Sequence, residues 1–200
     1  MNDSDNATVS TRLFRWAPWA LAAAAFGVYW TTLSRGAFPG LPAKSLTWHL
    51  GLDASPTLLD SLWGFIVRAL PGSDPAFWAG LLSAVCGAAG VGLVATLMMR
   101  VRYAIHDAHD PDEVRREVQA RVLAGVSAGL FTAASIPFWI LSTRSLPGTF
   151  HLLLLLGAAG LFSEYQRTGK TSRLYLLGLL YGAGVTEFAT FWVFAPLTAL

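Results

Sequence analysis

The stretch 34–75 carries Arg35, His49, Asp53, Asp60 and Arg68, residue types that together supply a base and an anion clamp. Asp53 and Asp60 are the candidate catalytic carboxylates, and Arg35, His49 and Arg68 the candidate substrate-binding groups. A loop of this length would carry the same residues merely to stay hydrated, so both readings stand at this point. Glu187 is a further candidate, because it is the only charged residue within 174–200. A charged side chain in the middle of an apolar helix costs about 2.5–3.5 kcal/mol on insertion scales unless it faces a cavity or a partner. Glu187 is therefore either functional or held in an interhelical hydrogen bond.

Other chemistry has weaker signals. His106, Asp107, His109, Asp110 and Asp112 form a run of metal-capable side chains, but a hydrated turn leading into a helix cap accounts for all of them. No metal ligand is assigned. Asn6-Ala7-Thr8 matches the glycosylation triplet, yet lies on the side of the membrane where that modification does not occur. No G-x-G-x-x-G, Walker, G-x-S-x-G or H-E-x-x-H pattern is present, so nucleotide-binding, serine-hydrolase and zincin readings lack their usual signals. Cys86 is the single cysteine, which excludes a disulfide framework. The net charge of +2 gives no support to nucleic-acid binding.

The elements that must position these groups are membrane helices. The 200-residue chain is 54% hydrophobic and only 13% charged, too apolar for a soluble domain of that size. Its apolar residues are gathered into blocks, and a spanning helix needs roughly 20 such residues in a row. The expected fold is all-α: one membrane domain, 1–200, a polytopic transmembrane bundle of about five spans at 16–33, 76–99, 122–143, 145–163 and 174–198. Arg144 and Pro147-Gly148 separate the third and fourth spans as a tight hairpin. The first block is read as a retained anchor rather than a secretory signal, since Trp16, Trp19, Tyr29 and Trp30 mark both its ends.

Within the outer loop 34–75, a surface helix is expected at 56–70, capped by Ser55, with Pro56 at its first position. Leu58, Leu59, Leu62, Trp63, Ile66 and Leu70 would form its apolar stripe, opposite Thr57, Asp60, Ser61, Gly64 and Arg68. In the loop 100–121, Asp110 would cap a helix begun by Pro111, with Asp112–Arg116 and Glu117–Arg121 as surface ion pairs. Gly80/Ala84, Ser83/Gly87, Gly125/Gly129 and Gly178/Gly182 stand at the four-residue spacing that lets helices approach closely, and packing within one bundle is the preferred account.

Orientation follows from the basic residues. With the N-terminus in the cytoplasm, Arg12, Arg15, Arg100, Arg102, Arg115, Arg116, Arg121, Arg167, Lys170 and Arg173 fall inside, leaving Arg35, Lys44, Arg68 and Arg144 outside. The expected location is the cell inner membrane, multi-pass.

Several segments carry a resemblance. They are Tyr29-Trp30, Leu33-Ser34-Arg35-Gly36, the run from Leu62-Trp63-Gly64-Phe65 to Arg68-Ala69-Leu70-Pro71, Asp74-Pro75-Ala76-Phe77, Pro137-Phe138-Trp139, and Gly182-Ala183-Gly184-Val185-Thr186-Glu187. Together they resemble a bacterial membrane family of unassigned function related to the protein O-mannosyltransferases. That resemblance implies a glycosyltransferase of the C-type architecture, which takes a sugar from a polyprenyl-phosphate carrier and passes it to an acceptor outside the membrane. It implies a carboxylate in the first outer loop, basic groups on the lipid phosphate, and often a divalent ion. Here the place that holds the acid in relatives reads Phe38-Pro39-Gly40-Leu41-Pro42-Ala43-Lys44-Ser45, without one; the nearest acids are Asp53 and Asp60, so either Asp53 takes the role or the chain does not catalyse the family reaction. Complete enzymes of this class have more spans than five, so the chain reads as an N-terminal portion. A non-catalytic scaffold of the same fold and, through Glu187, a transporter are the competing readings.

Overall fold

The computed structural model describes residues 3–35, 40–53, 57–71, 74–101 and 111–187, excepting the side chains of 3–14, 41, 42, 49, 58, 111 and 187. Among the described residues the chain is all-helical, without strands. Its eight helices are α1 (Asp3–Thr31), α2 (Leu41–Leu50), α3 (Leu58–Ala69), α4 (Pro75–Arg100), α5 (Pro111–Ala134), α6 (Ile136–Thr143), α7 (Gly148–Thr168) and α8 (Thr171–Glu187).

Helix α4 is the hub. Asp74 caps it by accepting the Phe77 N–H at 3.0 Å, and Pro75 starts it where a missing N–H does no harm. At 26 residues it is about 39 Å long. Small residues on several of its faces admit α1, α5, α6 and α7 together. Gly80 meets Leu33 and the Ser34 carbonyl, Gly92 meets Pro18 and Ala22, and Gly90 meets Phe138 and Leu156. Val91 and Ala84 pack with Tyr29, Ala25 and Phe138 in the main core. These contacts set α1 antiparallel to α4 and α7 parallel to it. Arg144 consequently lies at one end of the bundle and Arg100 at the other.

Among the described residues α4 is the one single helix long and apolar enough to cross a membrane, and α5 with α6 makes a second candidate span bent by 64°. This supports association with a membrane. Helix α1 is diluted by tryptophans and Pro18, α7 carries His151 and Glu164, and α8 is described for only 17 residues. The fifth expected span to 198 therefore lies partly outside the described residues. The outward surface is apolar on several helices besides α4. Trp19, Leu123, Phe131, Tyr175 and Leu179 are all exposed, as lipid-facing positions would be.

The structure departs from the sequence reading in five places. Helix α1 begins at Asp3, well ahead of 16. The loop 34–75 holds two helices, since Pro42 near its start and Gly51 at its end delimit α2. The expected third span breaks at Ser135. Pro137 cannot donate an N–H to the Ala133 carbonyl one turn earlier, and the freed carbonyl accepts from the Tyr29 hydroxyl at 3.2 Å. Arg121 sends its Nε to the Met99 carbonyl at 2.7 Å, where the C-terminus of α4 favours a cation, rather than serving only the expected pair with Glu117.

The fifth departure concerns the start of α3. Thr57 caps it, its hydroxyl accepting the Asp60 N–H at 3.3 Å, while Ser55 and Pro56 lie outside the described residues. Asp60, Trp63, Gly64 and Val67 turn inward, and Ser61, Leu62, Phe65, Ile66 and Arg68 turn out, so the inward face draws on both expected stripes.

Candidate functional site

The Arg144 end begins with a layer of neutral hydrogen bonds. Ser83 Oγ is 2.9 Å from the Leu146 carbonyl and Thr149 Oγ1 donates to the Ser83 carbonyl at 3.1 Å, joining α4 to the start of α7. Ser142 Oγ donates to Phe138 O at 2.7 Å, and the Ser34 N–H to Thr143 O at 3.0 Å. Gly87 makes this possible, because a Cβ there would collide with Ser142. Trp139 Nε1 adds a bond to Thr32 Oγ1 at 3.0 Å. The turn at 144–147 is thereby fixed to three helices.

Helices α2 and α3 pack against each other over this layer. Trp63 and Val67 of α3 meet Ala79 and Cys86 of α4, and the Trp63 ring lies 5.1 Å from Phe150 at the start of α7. Helix α3 also touches α8, so it bridges three helices. Asp60 is 5% exposed and stands one turn before Trp63 on the same inward face. Two polar atoms of this layer, Ser45 Oγ and Trp63 Nε1, are buried with no hydrogen-bond partner among the described residues. Buried donors are normally satisfied, so two orphans in a layer that also buries Asp60 mark a place where a polar ligand group would gain.

The sequence candidates fall as follows. Asp60 is buried in the layer. Asp53 is exposed in the turn after α2. Arg68 is exposed, at the edge of α3's inward face, and its guanidinium reaches the α2 C-cap: a Cβ on Gly51 would lie 2.5 Å from Arg68 Nη1. Gly51 also has φ 72°, a left-handed conformation that side chains disfavour, and that backbone is what favours glycine there. The Arg68 guanidinium thus sits at the negative end of the α2 dipole, beside Gly51, which precedes Asp53 by two residues. Asp60 lies eight residues, about 12 Å of helix, from Arg68. Arg35 is exposed just past α1 and makes no ion pair with these groups among the described residues. The side chains of His49 and Glu187 are outside the description. Of the metal-capable run, residues 106–110 are as well, and among the described residues no three His, Cys, Asp or Glu side chains gather as a ligand set.

Sequence reasoning missed Ser45 and Trp63. Trp63 was legible only as one more apolar position, and a lone serine in a ten-residue helix carries no signal of which way it faces. It also missed the pairing of Glu164 with Arg100 at 3.1 Å across the opposite end. Both residues sit just beyond apolar blocks, where charges ordinarily face water. No protein-family model, curated protein or solved structure matches this chain.

Proposed function

We propose that the chain is a five-span inner-membrane protein with a cytoplasmic N-terminus, whose α2–α3 layer receives a polyprenyl-phosphate-linked sugar at the outer face. In this reading it transfers the sugar as a C-type glycosyltransferase does. The observation that carries the proposal is the buried Asp60 carboxyl one turn from the orphaned Trp63 indole N–H. An indole stacks on a sugar's apolar face and donates to its hydroxyls. A carboxylate beside it accepts the acceptor's proton as the acceptor oxygen bonds to the sugar and the bond to the lipid phosphate breaks. Arg68 and Arg35, both exposed at this end, are the cations available to the departing phosphate. Asp53, exposed in the turn after α2, is the alternative base. No step in this scheme runs through a metal ion.

The five-span arrangement is supported by the exposed apolar side chains of α1, α5 and α8, which a bilayer would cover. The lopsided placement of Lys and Arg supports the orientation.

One observation favours a non-catalytic scaffold instead. Asp60 occupies the first turn of α3, where the helix dipole alone stabilises an acid. Sugar transfer from radiolabelled polyprenyl-phosphate donors, in membranes carrying the wild type, Asp53→Asn or Asp60→Asn, separates the two. Activity lost in Asp60→Asn at unchanged protein level supports catalysis. Absence of transfer by the wild type, in membranes where a C-type enzyme works, supports the scaffold.

A further inference from the structure

At the Arg100 end, α4, α7 and α8 do not close on one another. Between them lies an open cleft of about 330 Å³. Its rim is charged: Arg100 Nη1 is 3.1 Å from Glu164 Oε2, and Arg173, at the start of α8, lines the same opening. Arg167 approaches the other oxygen of Glu164 at 3.9 Å from outside the cleft. Arg173 makes no ion pair among the described residues. Two guanidinium groups around one carboxylate leave the rim net positive.

The deeper half of the cleft is apolar. Leu93 and Leu97 of α4 line it beside Gly157, Gly160 and Leu161 of α7, and a Cβ on Gly160 would stand in ordinary contact, 4.0 Å, with both leucines. The combination selects an anion attached to a hydrocarbon chain. A soluble anion would use the rim and leave the leucine wall exposed to water. A nucleotide would find no aromatic surface, because none lines the cleft. The volume is at the lower end of what small-molecule sites occupy, enough for a phosphate-bearing headgroup and its first methylenes. Basic pockets between spans hold anionic lipid headgroups by the same physics.

We infer that this cleft binds the phosphate of an anionic phospholipid, with Arg173 as the available cation, Arg100 as a cation shared with Glu164, and the Leu93–Leu97–Gly160 groove holding the start of an acyl chain. Glu164 then acts as a built-in competitor, holding Arg100 until a headgroup displaces it. The site is independent of the sugar-lipid reading, being at the opposite end of the bundle.

The test is lipid retention by the full chain purified in detergent, read by native mass spectrometry with phosphatidylglycerol and phosphatidylcholine of identical acyl chains. Phosphatidylglycerol should be retained in preference to phosphatidylcholine. Arg173→Gln should weaken phosphatidylglycerol about fivefold, the usual worth of one basic residue at a lipid headgroup. Glu164→Gln should strengthen it, a gain that loss of a merely structural ion pair would not produce. Gly160→Leu, which fills the apolar half, should weaken both lipids. Equal retention by wild type and Arg173→Gln overturns the inference. Displacement of bound phosphatidylglycerol by inorganic phosphate also overturns it, by making a soluble anion the ligand.

Discussion

The two ends of the bundle are held in different ways. At the Arg144 end, short hydroxyl side chains reach backbone carbonyls, and Ser83, Ser142 and Thr149 are all but fully buried. At the Arg100 end the contacts are between long charged side chains that remain partly wet, 29% exposed for Arg100 and 21% for Glu164. Short neutral groups fix geometry because they have few rotamers to lose, and Ser83 also satisfies the Leu146 carbonyl, which lies between helices. Long charged groups keep their heads in water and leave space between helices, at little cost if the pair breaks. The closed end is thus suited to hold a layer such as α2–α3 in place, and the open end to admit a ligand from the side.

The comparison fails first if the helix contacts beneath it are wrong, and glycine substitutions test that most severely. A Cβ on Gly125 would lie 2.8 Å from the Ala95 carbonyl, a backbone atom that cannot swing aside, and would also strike Met99. Gly125→Val should cost about 3 kcal/mol, read as a lowered thermal midpoint in detergent. Gly87→Ala meets a side chain instead, and Ser142 must give up its bond to Phe138, so about 2 kcal/mol is expected. Two wild-type-like midpoints would mean that α4 does not pack as described.

Helix identity was legible in the sequence because apolar block length and the Pro and Gly punctuation are local properties. The break at Pro147-Gly148 is read directly from two residues: α6 ends at Thr143, and α7 begins with Pro147 as its cap and Gly148 as its first residue. Facing was less legible. In α3 the amphipathic pattern is plain, but which face turns inward depends on whether water or lipid lies outside. Leu62, Phe65 and Ile66 are exposed beside Ser61 and Arg68, while Trp63 of the same apolar stripe is buried. The break at Ser135 was available in Pro137 and was missed because an isolated proline within an apolar run can sit at a kink or at an end. The candidate site was half legible. Asp60 was singled out by its charge, while Ser45 and the Trp63 indole became notable only when burial showed them without partners. The cleft at Arg100 needed three helices to be placed before any of its residues could be associated.

A smaller effect tests the closed end by itself. Tyr29→Phe removes the donor to the Ala133 carbonyl and should cost about 1–2 kcal/mol, because that carbonyl is then buried unsatisfied. Pro137→Ala restores the missing N–H and should relieve much of that loss in the double variant. Thermal midpoints of the two single variants and the pair read the coupling. Simple additivity would mean that Tyr29 does not substitute for the helical hydrogen bond. At the open end, Arg100→Gln should lower stability by no more than about 1 kcal/mol, and less as salt is raised. A loss comparable to that of Gly87→Ala would make the ion pair a structural clasp and erase the contrast between the ends.

The smallest expected effect lies on α8, away from both ends. Gly178 and Gly182 have the same spacing as Gly125 and Gly129, yet a Cβ on either would meet nothing within 4 Å among the described residues, whereas Gly129 faces Leu21 and Ala95. Spacing alone therefore does not identify a packed face, because a glycine pair serves close approach only where another backbone is present. Gly178→Leu and Gly182→Leu should leave the thermal midpoint within the range of neutral surface changes, about 0.5 kcal/mol, and the larger side chain should simply add to the lipid-facing surface of Tyr175 and Leu179. A loss of about 2 kcal/mol or more in either variant would mean that this face of α8 is covered by another helix, and the glycine pair would then belong with the packed ones.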